Sequence, residues 1–208
     1  MKRLGNDECW CGSHQKYKKC HQKFDERLRY LKRQGYVIPQ HKMIKNEKQI
    51  EGIKQAAVIN SGLLDYIESH IGAGMTTQEI DDMTVEYLKA HDASSADLHY
   101  EGDPKSICTS INDVVCHGIP DAQVVLKEGD IINVDATSCY KGYYADASRM
   151  FMIGDVSEEA RQLVEVTREC LYKGIESIRP FKSTISDIGR AIETHAHQHG
   201  FSVVREFC

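Results

Sequence analysis

The 208-residue sequence lacks long apolar runs, internal repeats and low-complexity tracts. A membrane-spanning helix needs a run of ~18 apolar residues, and no window approaches that, so no membrane association is expected. Residues 1–8 carry charges with no apolar stretch behind them, so we expect no secretory signal and a cytoplasmic location. Glycine-rich phosphate loops are absent, and no serine or cysteine has a base at a recognisable spacing, which argues against nucleophilic catalysis.

The cysteines are unevenly distributed along the chain. Of the eight, three lie in the first twenty residues and the others are scattered singly. Nothing in the sequence indicates an oxidising compartment, so disulfides are not expected. The first group fits metal binding, and the scattered cysteines fit small buried side chains.

A zinc-ligand pattern occupies the first of these groups. Three thiolates and an imidazole complete a closed tetrahedral site, and the residues that supply them are Cys9, Cys11, Cys20 and His21. So short a segment has too small a core to fold alone, so zinc would supply its folding energy. The string at residues 9–21 resembles the SEC-C motif, a small zinc-binding module. That resemblance implies one structural zinc and a docking role, with ribosomes or ribosome-associated factors as candidate partners.

Charge divides the chain in two. Residues 1–48 hold 13 Lys/Arg and 5 Asp/Glu, a net +8, while residues 49–208 hold 13 and 26, a net −13. A basic arm suggests an anionic partner such as RNA or a ribosomal surface; a solvated basic linker is the alternative. We therefore expect a zinc knuckle at 1–25, a basic linker at 26–45 and a folded body from 46 to 208.

Periodicity and capping residues predict the elements of this body. Four helices are expected, at 46–72, from 76 onward, at 157–178 and at 184–199. In the third, Leu163, Leu171, Ile175 and Ile178 share a face. Strand-like segments at 131–135 and 143–153 are joined by a turn at Lys141 and Gly142. A last strand is expected at 201–207, where the sequence stops, so the ending looks like a truncation.

Asp135 and Asp146 carry the most chemistry in the predicted hairpin. A hairpin centred on the turn places them nearly opposite each other, with side chains on one face. Opposed carboxylates repel unless a cation or a proton lies between them, so a divalent metal site is one interpretation. The alternative is a different register, or one aspartate facing solvent.

Four consecutive segments, 104–112, 115–120, 129–135 and 146–151, resemble signatures of type I methionine aminopeptidases. The resemblance covers about residues 42–208 and implies an α+β pita-bread (aminopeptidase/creatinase-like) fold, of which this chain would hold the first half and the start of the second. It implies removal of the initiator methionine from nascent polypeptide N-termini when the second residue is small. The expected cofactors are two divalent ions (cobalt, manganese, iron or zinc), and a monomer is expected.

The resemblance also assigns residue roles. Asp135 and Asp146 match the two aspartate ligands of the metals, and His117 matches a catalytic histidine that contacts the substrate. Tyr100 and Cys108 fall where the family lines its methionine pocket. Asp103 stands where an aromatic residue commonly precedes the Pro-Lys-Ser signature, which alters that wall of the pocket.

Other expected parts of such a site are missing from the sequence. The family continues past a segment like 204–208 into Gly-His-Gly, two glutamate ligands and a second histidine. We therefore expect the chain to be inactive alone, and a non-catalytic docking fragment with an incomplete enzyme domain is the alternative function. A proline-specific peptidase of the same fold is disfavoured by His-Gly-Ile-Pro at 117–120. His195 and His199, one helical turn apart, could hold a metal; the alternative, which the sequence favours, is an ordinary exposed polar helix end.

Overall fold

The computed structural model describes residues 4–205. Within them the helices are α1 (Gln22–Arg33), α2 (Glu47–Glu68), α3 (Thr77–Ala90), α4 (Glu158–Glu176) and α5 (Ile185–Gln198). The strands are β1 (Ser94–Ser95), β2 (Cys108–Ile111), β3 (Ile131–Tyr140) and β4 (Tyr143–Met152). None of the described helices combines the length and the apolar character that crossing a membrane requires.

The predicted starts of the body helices are confirmed. Asn46 accepts a hydrogen bond from the Gln49 amide at 2.9 Å, and the Gln49 side chain returns one to the Asn46 amide. Thr76 caps α3 in the same reciprocal way. α2 ends at Glu68, before the predicted stop at 72, because the chain turns there and the Ile71 amide donates to the carbonyl of Ile67.

The strands form one antiparallel sheet with β3 at its centre. β4 pairs with β3 along its whole length. β2 and β1 pair with successive stretches of the other edge of β3. Lys141 and Gly142 join β3 to β4, and both have a positive φ, as a type I′ turn requires. The hairpin predicted from 131 to 153 is therefore confirmed.

Alternation along β3 separates a core face from an open face. Ile132, Val134 and Ala136 are buried on the core face, where α2 and α3 cover the sheet. α2 approaches β4 so closely that a Cβ at Gly52 would lie 2.4 Å from the Tyr143 ring. The buried amide of Asn60 on α2 donates to the carbonyl of Ala136 at 2.9 Å. The helices are thus fixed on one face, and the opposite face is left for a site.

Helices α4 and α5 pack mainly against each other through a small core. Val166, Cys170 and Ala196 are buried there. The apolar face predicted for α4 is exposed instead, with Leu163, Leu171, Ile175 and Ile178 between 39% and 57% accessible. The face is left exposed because α5 packs on another side of α4.

The predicted strand at 201–207 is not present in its described part, residues 201–205. The Phe201 amide donates to the carbonyl of Ala196, and its ring packs on the α4–α5 core. These interactions hold the start of the segment against α5 and not in a sheet. Residues 206 and 207 of the prediction lie outside the described residues.

Candidate functional site: an acidic cleft and a zinc knuckle

Asp135 and Asp146 lie on the open face of the sheet. The two-residue turn pairs Tyr140 with Tyr143, so the register places Asp135 opposite Ser148 and Asp146 opposite Thr137. The aspartates are therefore diagonal neighbours, and the predicted common face is confirmed. They are near each other but two residue pairs apart along the hairpin, because the hairpin is centred between the two turn residues.

A cleft of about 940 Å³ opens over these carboxylates. The residues predicted for the site line it together: Tyr100, Cys108, His117, Asp135 and Asp146. β2 contributes Cys108, which the register places opposite Asp135. Residues 94–104 supply much of the rest of the wall. The structure thus brings together residues separated by up to 46 positions in the sequence.

His117 is positioned by a close approach of its loop to β2. It has a positive φ of 54°, and the carbonyl of the next residue, Gly118, accepts a 2.7 Å hydrogen bond from the Thr109 amide. A Cβ at Gly118 would lie 2.0 Å from the Thr109 carbonyl oxygen. Only glycine permits this approach, which brings the imidazole near Asp135.

The cleft carries an excess of negatively charged side chains. Burial raises the pKa of Asp135 above its usual range, and the carboxylates of Asp146 and Asp97 raise it further, while His117 lowers it. No lysine or arginine is among the described residues that line the cleft. Burial is a larger cause of this raised pKa than the repulsion between the carboxylates.

Asp97 is a cleft residue that the sequence analysis missed. Its carboxylate accepts a 3.0 Å hydrogen bond from the backbone amide of Thr137. Thr137 pairs with Asp146 and lies two residues after Asp135 in β3. Burial raises its pKa, the Thr137 amide lowers it, and Asp146 raises it again. Asp97 follows a two-residue strand that no periodicity reveals, so only the structure could place it here.

The predicted pocket residues have distinct characters. Tyr100 is 68% exposed at the rim. Burial and the carboxylate of Asp103 raise the pKa of Cys108 to about 11. The thiol therefore stays protonated at neutral pH and presents a small, polarizable surface. Asp103 lies in the same wall, with a carboxylate oxygen 4.0 Å from the Cys108 Sγ.

The donors in the cleft fit hard divalent cations in type. Carboxylate oxygens suit ions such as Mn²⁺, and two like charges on one face are relieved by a cation between them. Asp135 and Asp146 are also close enough to share a hydrogen bond when one is protonated. A divalent ion would take the place of that proton.

The knuckle brings its four predicted zinc ligands together, with all donor atoms within 4.8 Å of one another. The His21 Nδ1 lies 3.3 Å from the Cys9 Sγ and 3.1 Å from the Cys20 Sγ. The Cys11 and Cys20 sulfurs are 3.6 Å apart. Zinc bonds of ~2.3 Å to sulfur and ~2.0 Å to nitrogen give tetrahedron edges of about 3.5–3.8 Å, close to these distances. The set fits a closed zinc site.

Buried Asp25 links the knuckle to the segment that follows it. Its carboxylate accepts hydrogen bonds from the Tyr17 hydroxyl at 2.8 Å and from the Trp10 indole at 3.1 Å. The His41 Nε2 lies 3.0 Å from its other oxygen, and the His41 ring stacks on Trp10 at 4.3 Å. The predicted linker at 26–45 therefore includes most of α1 and a segment folded back on the knuckle, because Asp25 needs these donors.

Comparison with known proteins agrees with this architecture. The profile of metallopeptidase family M24 matches residues 51–208, and that of the SEC-C motif matches residues 6–23. Methionine aminopeptidase A of Synechocystis sp. is 50% identical over 78% of this chain and 64% of its own length. The methionine aminopeptidase of Chlamydia pneumoniae is 40% identical over 100% of this chain and 71% of its own. The chain thus spans about two thirds of the length of the curated relatives it matches.

Solved structures agree on the fold. Methionine aminopeptidase from Rickettsia prowazekii superposes with a TM-score of 0.76 at 43% identity, over 79% of this chain and 65% of that one. X-Pro aminopeptidase from Thermotoga maritima, at 22% identity, 76% and 43% coverage and a TM-score of 0.64, shares the fold alone. The molecule is an α+β protein of the pita-bread, aminopeptidase/creatinase-like class. The chain belongs to metallopeptidase family M24, among the methionine aminopeptidases, and carries a SEC-C motif.

Proposed function

We propose that this chain contributes Asp135, Asp146 and His117 to the metal-dependent removal of the N-terminal methionine from newly made polypeptides whose second residue is small. The observation that supports this most is the meeting of Asp135, Asp146 and His117 in one cleft of an M24 chain. Relatives that are 40–50% identical carry the name methionine aminopeptidase.

The candidate metal ligands and the residues that would face the substrate have different roles. Asp135 and Asp146 would hold two divalent ions, with cobalt, manganese, iron and zinc as candidates. Such ions, when bound, supply a water of lowered pKa. The His117 imidazole, adjacent to Asp135, holds the substrate peptide by hydrogen bonding near the bond that is cleaved. Asp97 braces the strand between the two carboxylates through the Thr137 amide.

The methionine side chain would contact the wall that contains Cys108 and Tyr100. A protonated thiol and an aromatic ring both make favourable contacts with a thioether. Asp103, beside Cys108, makes part of this wall polar, so we expect weaker discrimination in favour of methionine than a fully apolar pocket would give.

Methionine release from a Met-Ala-Ser peptide with Mn²⁺ or Co²⁺ tests the proposal. The assay compares this chain with a chimera that continues it by the segment following the matched region in the Synechocystis relative. We expect turnover by the chimera and none by the 208-residue chain, because two carboxylates are too few to complete a two-metal site. Asp146→Asn should abolish turnover, and Asp155→Asn, an exposed aspartate outside the cleft, should not. A folded, metal-loaded chimera without turnover, or an active Asp146→Asn chimera, would contradict the proposal.

A second proposed function, docking, concerns the knuckle. Its four donors would complete a zinc shell and would leave no open coordination position for catalysis. The +8 charge of residues 1–48 favours an anionic partner such as ribosomal RNA. Co-sedimentation with ribosomes should occur at low salt and fall steeply as salt increases. Binding that survives deletion of residues 1–45 would rule out the arm as the docking element.

A further inference from the structure

A third cluster of metal-binding side chains lies outside both the cleft and the knuckle. His195 lies in the last turn of α5 and His199 is the C-cap residue that follows it, with ring centroids 4.6 Å apart. Glu169 on α4 approaches them, with its Oε2 2.7 Å from the His195 Nε2. One donor atom from each of the three residues lies within 4.8 Å of the others. We propose that Glu169, His195 and His199 form a binding site for a divalent transition metal, with zinc as the test ion, that joins α5 to α4.

The ligand chemistry fits such an ion. Two imidazoles and one carboxylate suit Zn²⁺, Ni²⁺ and Cu²⁺, and three protein donors leave a position for water. Zinc bonds of ~2.0–2.2 Å place donors about 3.3–3.5 Å apart. The three donor atoms lie within 4.8 Å of one another, so metal binding would require side-chain rotations that bring them closer. The C-terminal end of a helix also favours a nearby cation.

The backbone under the cluster is held firmly. Cys170, next to Glu169 in sequence, is buried against α5, and its thiol lies 3.6 Å from the carbonyl of Ile192. The helices cross so closely at Gly174 that a Cβ there would lie 3.2 Å from Ile188 and Ile192. The ligands therefore come from two elements with a fixed relation, which limits the entropy lost when a metal binds.

The cluster is partly exposed, and the nearby Lys173 is paired with another carboxylate, so an ion can reach the ligands. The His195 side chain is 13% exposed and that of Glu169 is 56% exposed. Lys173, one turn from Glu169, pairs with Glu176 at 3.9 Å. Leu171, an exposed apolar residue of α4, lies on roughly the opposite side of the helix from Glu169, so a partner that covers Leu171 would not cover the cluster.

A simpler ion pair between Glu169 and His195 makes a different prediction. An ion pair needs neither His199 nor a metal, whereas a metal site needs both. The position of His199 next to His195 is the feature that the ion pair leaves without a role. Variants of His199 therefore separate the two accounts.

The experiment is a zinc titration of the 208-residue chain whose knuckle is already zinc-loaded. Calorimetry measures the additional zinc, and amide hydrogen exchange reports on α5. We expect added zinc to slow exchange in the last turns of α5. His199→Ala, whose exposed side chain is not needed for folding, should weaken this zinc binding by about tenfold or more. Glu169→Gln should weaken it as well.

His197→Ala is the matched control, because His197 is exposed on the same helix and outside the cluster. Its zinc affinity and exchange protection should equal those of the unchanged chain. Equal zinc affinity in the His199→Ala and His197→Ala variants would overturn the proposal, as would zinc binding that leaves the exchange of α5 unchanged.

Discussion

The knuckle and the acidic cleft are built in opposite ways. The knuckle takes four donors from thirteen consecutive residues, 9–21, and they already lie within 4.8 Å of one another. The cleft takes its carboxylates from two strands and its imidazole from a loop laid on a third. A local set folds together with its metal, whereas a dispersed set exists only after the sheet has formed. Metal should thus stabilise the knuckle strongly and the sheet weakly.

The largest expected effect is the loss of a knuckle ligand. His21→Ala removes one of four candidate donors from a segment to which zinc would supply folding energy, so zinc affinity should fall by orders of magnitude. A zinc titration monitored through the NMR signals of residues 4–45 measures the zinc affinity. His14→Ala, an exposed imidazole in the same loop, should bind zinc normally. Equal zinc affinity in the His21→Ala and His14→Ala variants would contradict the prediction that the knuckle depends on its local set of ligands.

A smaller effect is expected from Asp25, which organises the knuckle without being a ligand. Asp25→Ala leaves the Trp10 indole and the Tyr17 hydroxyl without their acceptor, at a cost of about 2–4 kcal/mol. Chelator-driven zinc release should be faster, while the unfolding of the sheet should not change. Glu26→Ala, its exposed neighbour, serves as the control. If both variants release zinc equally fast, the knuckle does not depend on Asp25.

Substitution of Gly118 tests whether contacts between distant segments of the chain position the cleft residues. Gly118→Ala forces a Cβ against the Thr109 carbonyl and should destabilise the sheet by about 1–3 kcal/mol. The NMR signals of the His117 ring should shift, and those of the knuckle should not. Gly72→Ala, where a Cβ meets nothing within 4 Å, is the matched control. An unchanged His117 signal in Gly118→Ala would show that the loop is not set by this approach.

The smallest effect is the pH dependence of the metal-free cleft. The folded-state pKa of Asp135 is raised, so its contribution to stability is greatest below the usual aspartate pKa and is lost as pH rises through the folded value. Asp135→Asn should therefore stabilise the metal-free chain at neutral pH, by roughly 0.2–1 kcal/mol for a cross-strand pair of like charges. Urea unfolding at several pH values measures this gain, which should fade on acidification. A gain that is independent of pH would exclude the charge as its cause.

Sequence reasoning was strongest where structure depends on neighbours along the chain. The caps at Asn46 and Thr76 and the turn at Lys141 and Gly142 are local, and all three were predicted correctly. Asp97 could not be predicted, because its place beside Asp146 depends on the pairing of β1 with β3.

The environment of the apolar face of α4 also could not be predicted from the sequence. Periodicity located residues such as Leu171 on one face, but it does not say what covers that face, and α5 packs elsewhere. The role of Asp25 was missed because an acidic residue in a charged helix gives no signal of burial. The proximity of the four knuckle side chains, by contrast, was predicted from their spacing.

Paramagnetic line broadening by Mn²⁺ in the zinc-loaded 208-residue chain tests most directly whether Asp135 and Asp146 form a cation site. Mn²⁺ prefers carboxylate oxygens to thiolates, and broadening detects weak binding at low occupancy. The amide signals of Thr137 and Ser148, which face the two aspartates across the hairpin, should broaden first. The effect should disappear in Asp146→Asn and persist in Asp155→Asn. Sharp signals at Thr137 and Ser148, or equal broadening in the two variants, would contradict the assignment of these aspartates as metal ligands.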